Sequence, residues 1–288
     1  MFISTNRHFT LSLILYTLCM SYSYSPLYAK EYLIFKNQDS GFFSVFNVAL
    51  SMLDSFDKQQ CSGVKIDFGT KGLYYDPKFG ANWWNYYFQP LQVGKNLGFT
   101  NDNTDNWPHA MNTLCKMSRQ RGNYLIQKYI KIKPYVQRLV DNFYNAHLTN
   151  TFLIGIHYRG TDKSSEAAPV SYEKVLNVLQ NRIRALNGKS YKIFVATDDQ
   201  NFLNVIKSKH NNLYYTDGVR SSNGAPLHIN TSYSHFKQGL ECLIDVLLLA
   251  RCNVLIRTAS NMTISAAMFN PNLEFISLSK HNFENCPR

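Results

Sequence analysis

Three short apolar runs do most to limit the folds open to this chain. TFLIGI (151–156), YKIFVA (191–196) and NVLIRT (253–258) are each six residues long and draw on Ile, Leu, Val and Phe. A strand buried on both faces reads as a continuous apolar run, because neither face meets water, and such strands belong to parallel sheets covered by helices. Between the first two lies SYEKVLNVLQNRIRAL, with Val175, Leu176, Leu179, Ile183 and Leu186 at helical spacing and Ser171 placed to cap the first turn. Strand, helix and strand in this order predict an α/β domain with a parallel sheet, whose ligands gather beyond the carboxyl ends of the strands.

The same logic divides the preceding chain. EYLIFKN reads as a strand, GFFSVFNVALSMLDSF (41–56) as an amphipathic helix and VKIDFG as a second strand. LYYDPKFGANWWNYYFQP, broken by Pro77, Gly80 and Pro90, reads as a long aromatic loop. Its Trp83, Trp84, Tyr86, Tyr87 and Phe88 suit core packing, the alternative being a platform on which a sugar face stacks. PYVQRLVDNFYNAHL predicts a further helix with Pro134 in the permitted first turn. A new alternation of strands and helices begins after it, so the expected division is a segment 30–150 and a segment 151–288. Residues 1–29, with an apolar run of about a dozen behind Arg7 and His8, read as a signal peptide, or as an uncleaved anchor through which the protein would associate with a membrane.

Charge and cysteines narrow the partners. The formal charge is +11, and removing residues 1–29 takes away one arginine and no acid, so the chain stays basic and suited to anionic ligands. No basic motif interleaved with stacking aromatics is present, so nucleic acid is not the expected partner. Cys61, Cys115, Cys242, Cys252 and Cys286 follow the presequence, none spaced as CxxC, which argues against a zinc site and leaves room for up to two disulfides. Sequons stand at Asn230 and Asn261. Phosphate-loop, dinucleotide, zinc-protease and serine-hydrolase motifs are absent.

Each apolar run is followed at once by a polar cluster. His157, Arg159, Thr161, Asp162 and Lys163 follow the first, Thr197, Asp198 and Asp199 the second, Ser260 and Asn261 the third. Strand ends commonly meet solvent, where polar residues cost little, but three such clusters can face one crevice. Arg159 offers a fork of donors to a phosphate, with Ser260, Asn261 and the amides of the next helix as further donors. A carboxylate at Asp198 or Asp199 can accept from ribose hydroxyls or from the N1 and amine of guanine, which suits a guanosine diphosphate. Metal binding fits these adjacent acids less well, because neighbours on a strand point to opposite faces. Asp245 lies among Leu243, Ile244, Val246 and Leu247, so it either reaches solvent or accepts hydrogen bonds that offset its burial.

The segments GIHYRGTDK, SEAA, FVATDDQNFL, LIDVLLLARCNVLI and SNMT, in this order, resemble the three blocks of the α1,6-fucosyltransferase, nodulation-type and O-fucosyltransferase superfamily. The resemblance covers about the last 140 residues. It implies a GT-B-like α/β fold, two Rossmann-like domains facing a cleft, with 30–150 on the acceptor side and 151–288 holding GDP-fucose. It implies transfer of fucose, with inversion, to a hydroxyl of a glycan or glycoprotein, without metal or cofactor; another GDP-sugar, a protein hydroxyl or a non-catalytic binding role are the alternatives. Carried over by position, Arg159 holds the diphosphate, and His157, Asp162, Lys163, Asp198, Asp199, Asp245, Ser260 and Asn261 complete the donor set. Glu166 is the candidate base, one residue closer to the lysine than in relatives. Gly160 stands where many relatives have a second arginine, a loss that Lys163, a point charge on a flexible stem, offsets only in part.

Overall fold

The computed structural model describes residues 33–35, 40–70, 72–94, 107–161, 169–224 and 233–279. The expected signal segment, the Asn230 sequon, Asp162, Lys163 and Glu166 lie outside them. The first half opens with strand β1 (Leu33–Phe35), helix α1 (Phe42–Asp57) and strand β2 (Gly63–Ile66). β1 and β2 pair in parallel, and strand β3 (Gln92–Gly94) adds antiparallel to β2. The aromatic stretch between β2 and β3 contains a 3₁₀ turn (Pro77–Phe79) and the single-turn helix α2 (Trp84–Tyr87). Trp83, Trp84, Tyr87 and Phe88 are fully buried, packed on Phe42, Phe46 and Phe68, as the core reading of this segment requires.

Helix α1 is buried along almost its whole length, since it packs on β2 and also on helices α3 (Trp107–Lys116), α4 (Arg119–Tyr129) and α9 (Asn261–Phe269). Its acids therefore need partners. Arg121 donates to Asp54 at 2.7 Å and to Asp57 at 2.7 Å, while Lys128 and Tyr129 each reach Asp57 at 2.6 Å. Burial works against the Asp57 charge, yet the bonds from Lys128, Tyr129 and Arg121 hold its carboxyl well below the usual range.

Helix α5 (Pro134–His147) leads to the second sheet. This sheet is wholly parallel, in the order β6 (Leu213–Tyr214), β5 (Tyr191–Thr197), β4 (Phe152–Tyr158), β7 (Val254–Arg257), β8 (Glu274–Ser277). The chain moves outward from β4 through β5 to β6, then crosses back to β7 on the other side of β4. The strand order thus reverses between β4 and β7, where open α/β sheets bind ligands. Helices α6 (Tyr172–Ala185), α7 (Gln200–Lys207) and α8 (His235–Leu249) make the connections, with Ser171 capping α6 through the Lys174 amide.

β4 is buried on both faces, which is why its sequence lacks alternation. Ile154 and Ile156 join one core cluster; Leu153 joins the other, which continues through α1, α2, α8 and α9. Gly155 shares the face of Leu153 and His157. A Cβ there would stand 3.0 Å from the Cys252 Sγ, so glycine lets the turn after α8 close onto the sheet. Cys61, Cys242 and Cys252 are free and Cys115 is disulfide-bonded, so the five cysteines beyond the presequence do not form the two disulfides for which their number left room. Among the described residues no helix is long and apolar enough to cross a membrane.

Candidate functional site

A pocket open to solvent lies at the carboxyl edge of the second sheet. The end of β4 contributes His157, Tyr158 and Arg159, and the end of β5 contributes Thr197 and Asp198. Gly218, Val219 and Arg220 come from the loop after β6; Gln238, Glu241, Cys242 and Asp245 from the first turns of α8. Met262, after β7, and Tyr74, from the first half, close it.

Arg159 is fixed from two sides. Its amide donates to the Thr258 hydroxyl at 3.0 Å, while the Thr258 amide donates to the His157 carbonyl at 3.0 Å, so one side chain extends the β4–β7 pairing beyond the strand ends. Its Nε meets Asp198 Oδ2 at 3.1 Å. Asp198 also accepts from the Gly160 amide at 2.9 Å and from the Thr161 hydroxyl at 2.7 Å. These bonds make Asp198 the clamp on the segment that carries Arg159, rather than an acceptor left open for ribose or guanine donors.

Asp199 does different work. Its Oδ1 caps α7, accepting from the Asn201 and Phe202 amides at 2.9 and 3.0 Å, and its Oδ2 takes the Tyr172 hydroxyl at 2.6 Å. It does not line the pocket, and neither do Ser260 and Asn261. Ser260, buried, caps α9 through the Met262 amide at 3.2 Å. Asn261 Oδ1 accepts from Asn47 Nδ2 at 3.2 Å, and Asn47 Oδ1 takes the Ser265 hydroxyl at 2.8 Å, a polar link between α1 and α9 in the core.

His157 is buried, and its Nδ1 has no hydrogen-bond partner among the described residues. Burial, with the positive charges of Arg159 and Arg257 beside it, pushes it down to about 3, so the ring is neutral at physiological pH. Asp245 shows the opposite shift. Burial pushes its carboxyl up to about 7, against the hydrogen bond from Thr216 at 2.7 Å and the charge of Arg220, with Glu241 adding to the rise. The sequence reading thus meets the structure at His157, Arg159, Asp198 and Asp245, which share one pocket. It passed over Glu241, one helical turn from Asp245 and so open to inference, and over Tyr74 and Arg220, which only the tertiary fold brings there.

A parallel five-stranded sheet with a pocket at its switch point, joined to a first half with its own smaller sheet, is a fold of the GT-B type. The nodulation protein Z (NodZ) family profile matches residues 103–277, more than half of the chain, and the chain belongs to this family. No curated protein sequence matches it. The NodZ α1,6-fucosyltransferase soaked with GDP-fucose is 16% identical, with 84% of this chain and 93% of that chain covered and a TM-score of 0.59. The fucosyltransferase NodZ from Bradyrhizobium is 16% identical over 84% of this chain and 94% of that one, with a TM-score of 0.58. POFUT1 in complex with GDP-fucose is 9% identical over 86% and 97%, with a TM-score of 0.51. At these identities the likeness is one of fold.

Proposed function

We propose that the chain is an inverting fucosyltransferase that moves fucose from GDP-fucose to a hydroxyl of a glycan or glycoprotein without a metal. Membership of the NodZ family and the fold shared with fucosyltransferases studied with GDP-fucose support the donor. The observation that carries the reading is the Arg159 guanidinium, tied to Asp198 at the mouth of a switch-point pocket. As the sugar departs, negative charge gathers on the leaving diphosphate, and a donor already oriented there stabilises the transition state more than the ground state. In this reading Asp198 positions Arg159, Asp245 accepts from the guanine edge, and His157 supplies neutral packing beside the nucleotide. The first half, which contributes Tyr74, forms the acceptor side. Glu166 is the proposed base for the acceptor hydroxyl, and the segment 1–29 directs export to a lumen supplied with sugar nucleotides.

The test is a donor screen followed by mass spectrometry and by NMR assignment of the product anomer. GDP-fucose as preferred donor, an inverted product and turnover unaffected by chelator are expected; a preference for another sugar nucleotide would replace the donor, and a retained anomer would overturn the mechanism. Arg159→Ala lowers kcat about 10²-fold or more in a protein with an unchanged circular dichroism spectrum.

A further inference from the structure

Arg220 is a cationic pocket residue to which nothing above assigns a task. Its guanidinium is held by two backbone carbonyls of its own loop, Nη1 to Gly218 at 2.7 Å and Nη2 to Thr216 at 2.6 Å, and lies over the Tyr215 ring at 5.2 Å. Its Nε is buried and has no hydrogen-bond partner among the described residues. A guanidinium anchored in this way has little rotamer freedom left to lose when it meets a ligand. Its charge acts on Asp245, which lines the same pocket and which Thr216 reaches as well, so one short loop holds the cation and bonds the acid. The Asp245 Oδ1 is spent on Thr216, whereas Oδ2 takes no partner among the described residues.

A rigid donor beside a carboxylate is the complement of one base edge. Guanine presents the acceptor O6 next to the donors N1–H and N2–H; adenine presents a donor at the 6-position and an acceptor at N1, which meets both protein groups with the wrong sign. We infer that Arg220 is a specificity-determining residue that donates to O6 of the guanine, alongside the carboxylate of Asp245 at N1 and N2. The inference rests on the guanosine diphosphate donor proposed above and adds the group that rejects adenine. The diphosphate stays with Arg159, whose fork is held by Asp198 at the end of β4, on a different element from the Thr216–Arg220 loop.

Calorimetric titration of the wild-type protein with GDP, IDP, ADP and 6-thioguanosine diphosphate tests this without any substitution. Inosine keeps O6 and loses the amine, whereas the thio analogue keeps the amine and exchanges O6 for a weak acceptor. The expected result is that 6-thioguanosine diphosphate binds about tenfold or more weakly than GDP, because a hydrogen bond from a charged donor is lost. Arg220→Ala then lowers affinity for GDP and for IDP by the same factor, about 10- to 100-fold, abolishes the difference between GDP and the thio analogue, and leaves weak ADP binding unchanged or tighter. Equal loss for GDP, IDP and ADP in Arg220→Ala would overturn the inference, because it would place Arg220 on the diphosphate or reduce it to a tie for its loop. Wild-type protein that binds GDP and the thio analogue alike overturns it too, even where the variant does not fold. Wild-type protein that fails to bind GDP at all removes the donor reading itself, which separates the two failures.

Discussion

Gly160 shows how one residue couples the site to the scaffold. A Cβ at this position would lie 2.4 Å from Asp199 Oδ2 and 2.7 Å from its Cβ. The carboxylate cannot retreat, because its two oxygens cap α7 and hold Tyr172. The glycine is therefore what lets the chain after β4 lie against the α7 cap. Gly160→Ala is expected to lower stability by about 1–2 kcal/mol through loss of that cap, seen as a lower urea midpoint. Combined with Asp199→Ala, its penalty should fall below the sum of the two, since one cap cannot be lost twice. Asp245 carries a second prediction at this scale. Its folded-state value of about 7 lies above the unfolded carboxylate, so the folded protein binds a proton that the unfolded chain has released, and stability drops as pH rises from about 4 through 7. Guanine donors require the ionised form, so wild-type GDP affinity should weaken below pH 7 relative to Asp245→Asn, whose pH dependence is flatter in both binding and stability. Burial sets this value first, and the Thr216 hydrogen bond, the charge of Arg220 on the facing loop and that of Glu241 on the same helix adjust it. His157 stays neutral in the folded pocket across pH 5 to 8, but because the unfolded imidazole takes up a proton near 6.5 it adds a loss of stability as pH falls below that value.

At the scale of elements, α8 decides where the pocket wall stands. Tyr87 donates to the Phe236 carbonyl at 2.8 Å, and the ring passes so close to the helix that a Cβ on Gly239 would lie 2.3 Å from the Tyr87 oxygen. In an open helix Gly→Ala adds about 1 kcal/mol, but here the obstacle is the end of a fully buried ring. Gly239→Ala should instead lower the melting temperature and weaken nucleotide binding, as α8 carries Glu241 and Asp245 outward with it. A gain in stability would refute the close packing. The same elements explain what the sequence makes legible. The three apolar runs announce β4, β5 and β7 because both faces of each are covered, and strand ends at a parallel edge make Arg159 and Asp198 conspicuous. Helix α4 escapes notice because only Gly122, Leu125 and Ile126 are buried, and Gly122 faces Met268, a contact no local pattern encodes. β6 is two residues long and β8 is half exposed, so neither carries a periodic signal. Arg220 sits in a loop whose path depends on its own hydrogen bonds to Thr216 and Gly218, and Tyr74 reaches the pocket from 83 residues before His157.

For the whole molecule, the decisive fact is that the larger apolar cluster does not stop where the first sheet ends. Phe42, Trp84 and Leu148 share it with Leu153, Leu247 and Met268, and the Asn47–Asn261 and Asn47–Ser265 bonds cross the same ground. A buried polar group cut off from its partner costs about 1–3 kcal/mol, so Asn47→Leu leaves Asn261 and Ser265 to lose theirs in the interior. The two halves are thereby bound into one cooperative unit, although each has its own sheet. Urea denaturation followed by tryptophan fluorescence, which reports on Trp83 and Trp84 in the first half, and by far-ultraviolet circular dichroism, which reports on both, should give coincident curves with one midpoint. Two separated transitions would show that the shared core does not couple the sheets. Nucleotide adds a sharper check, because ligand bound only by the folded state stabilises by about 2.7 kcal/mol at a hundredfold excess over Kd. If the halves are coupled, saturating GDP moves the fluorescence and dichroism midpoints upward together, although among the described residues Tyr74 alone lines the pocket from the first half. A shift confined to the dichroism signal would mean that the first half unfolds without regard to an occupied pocket.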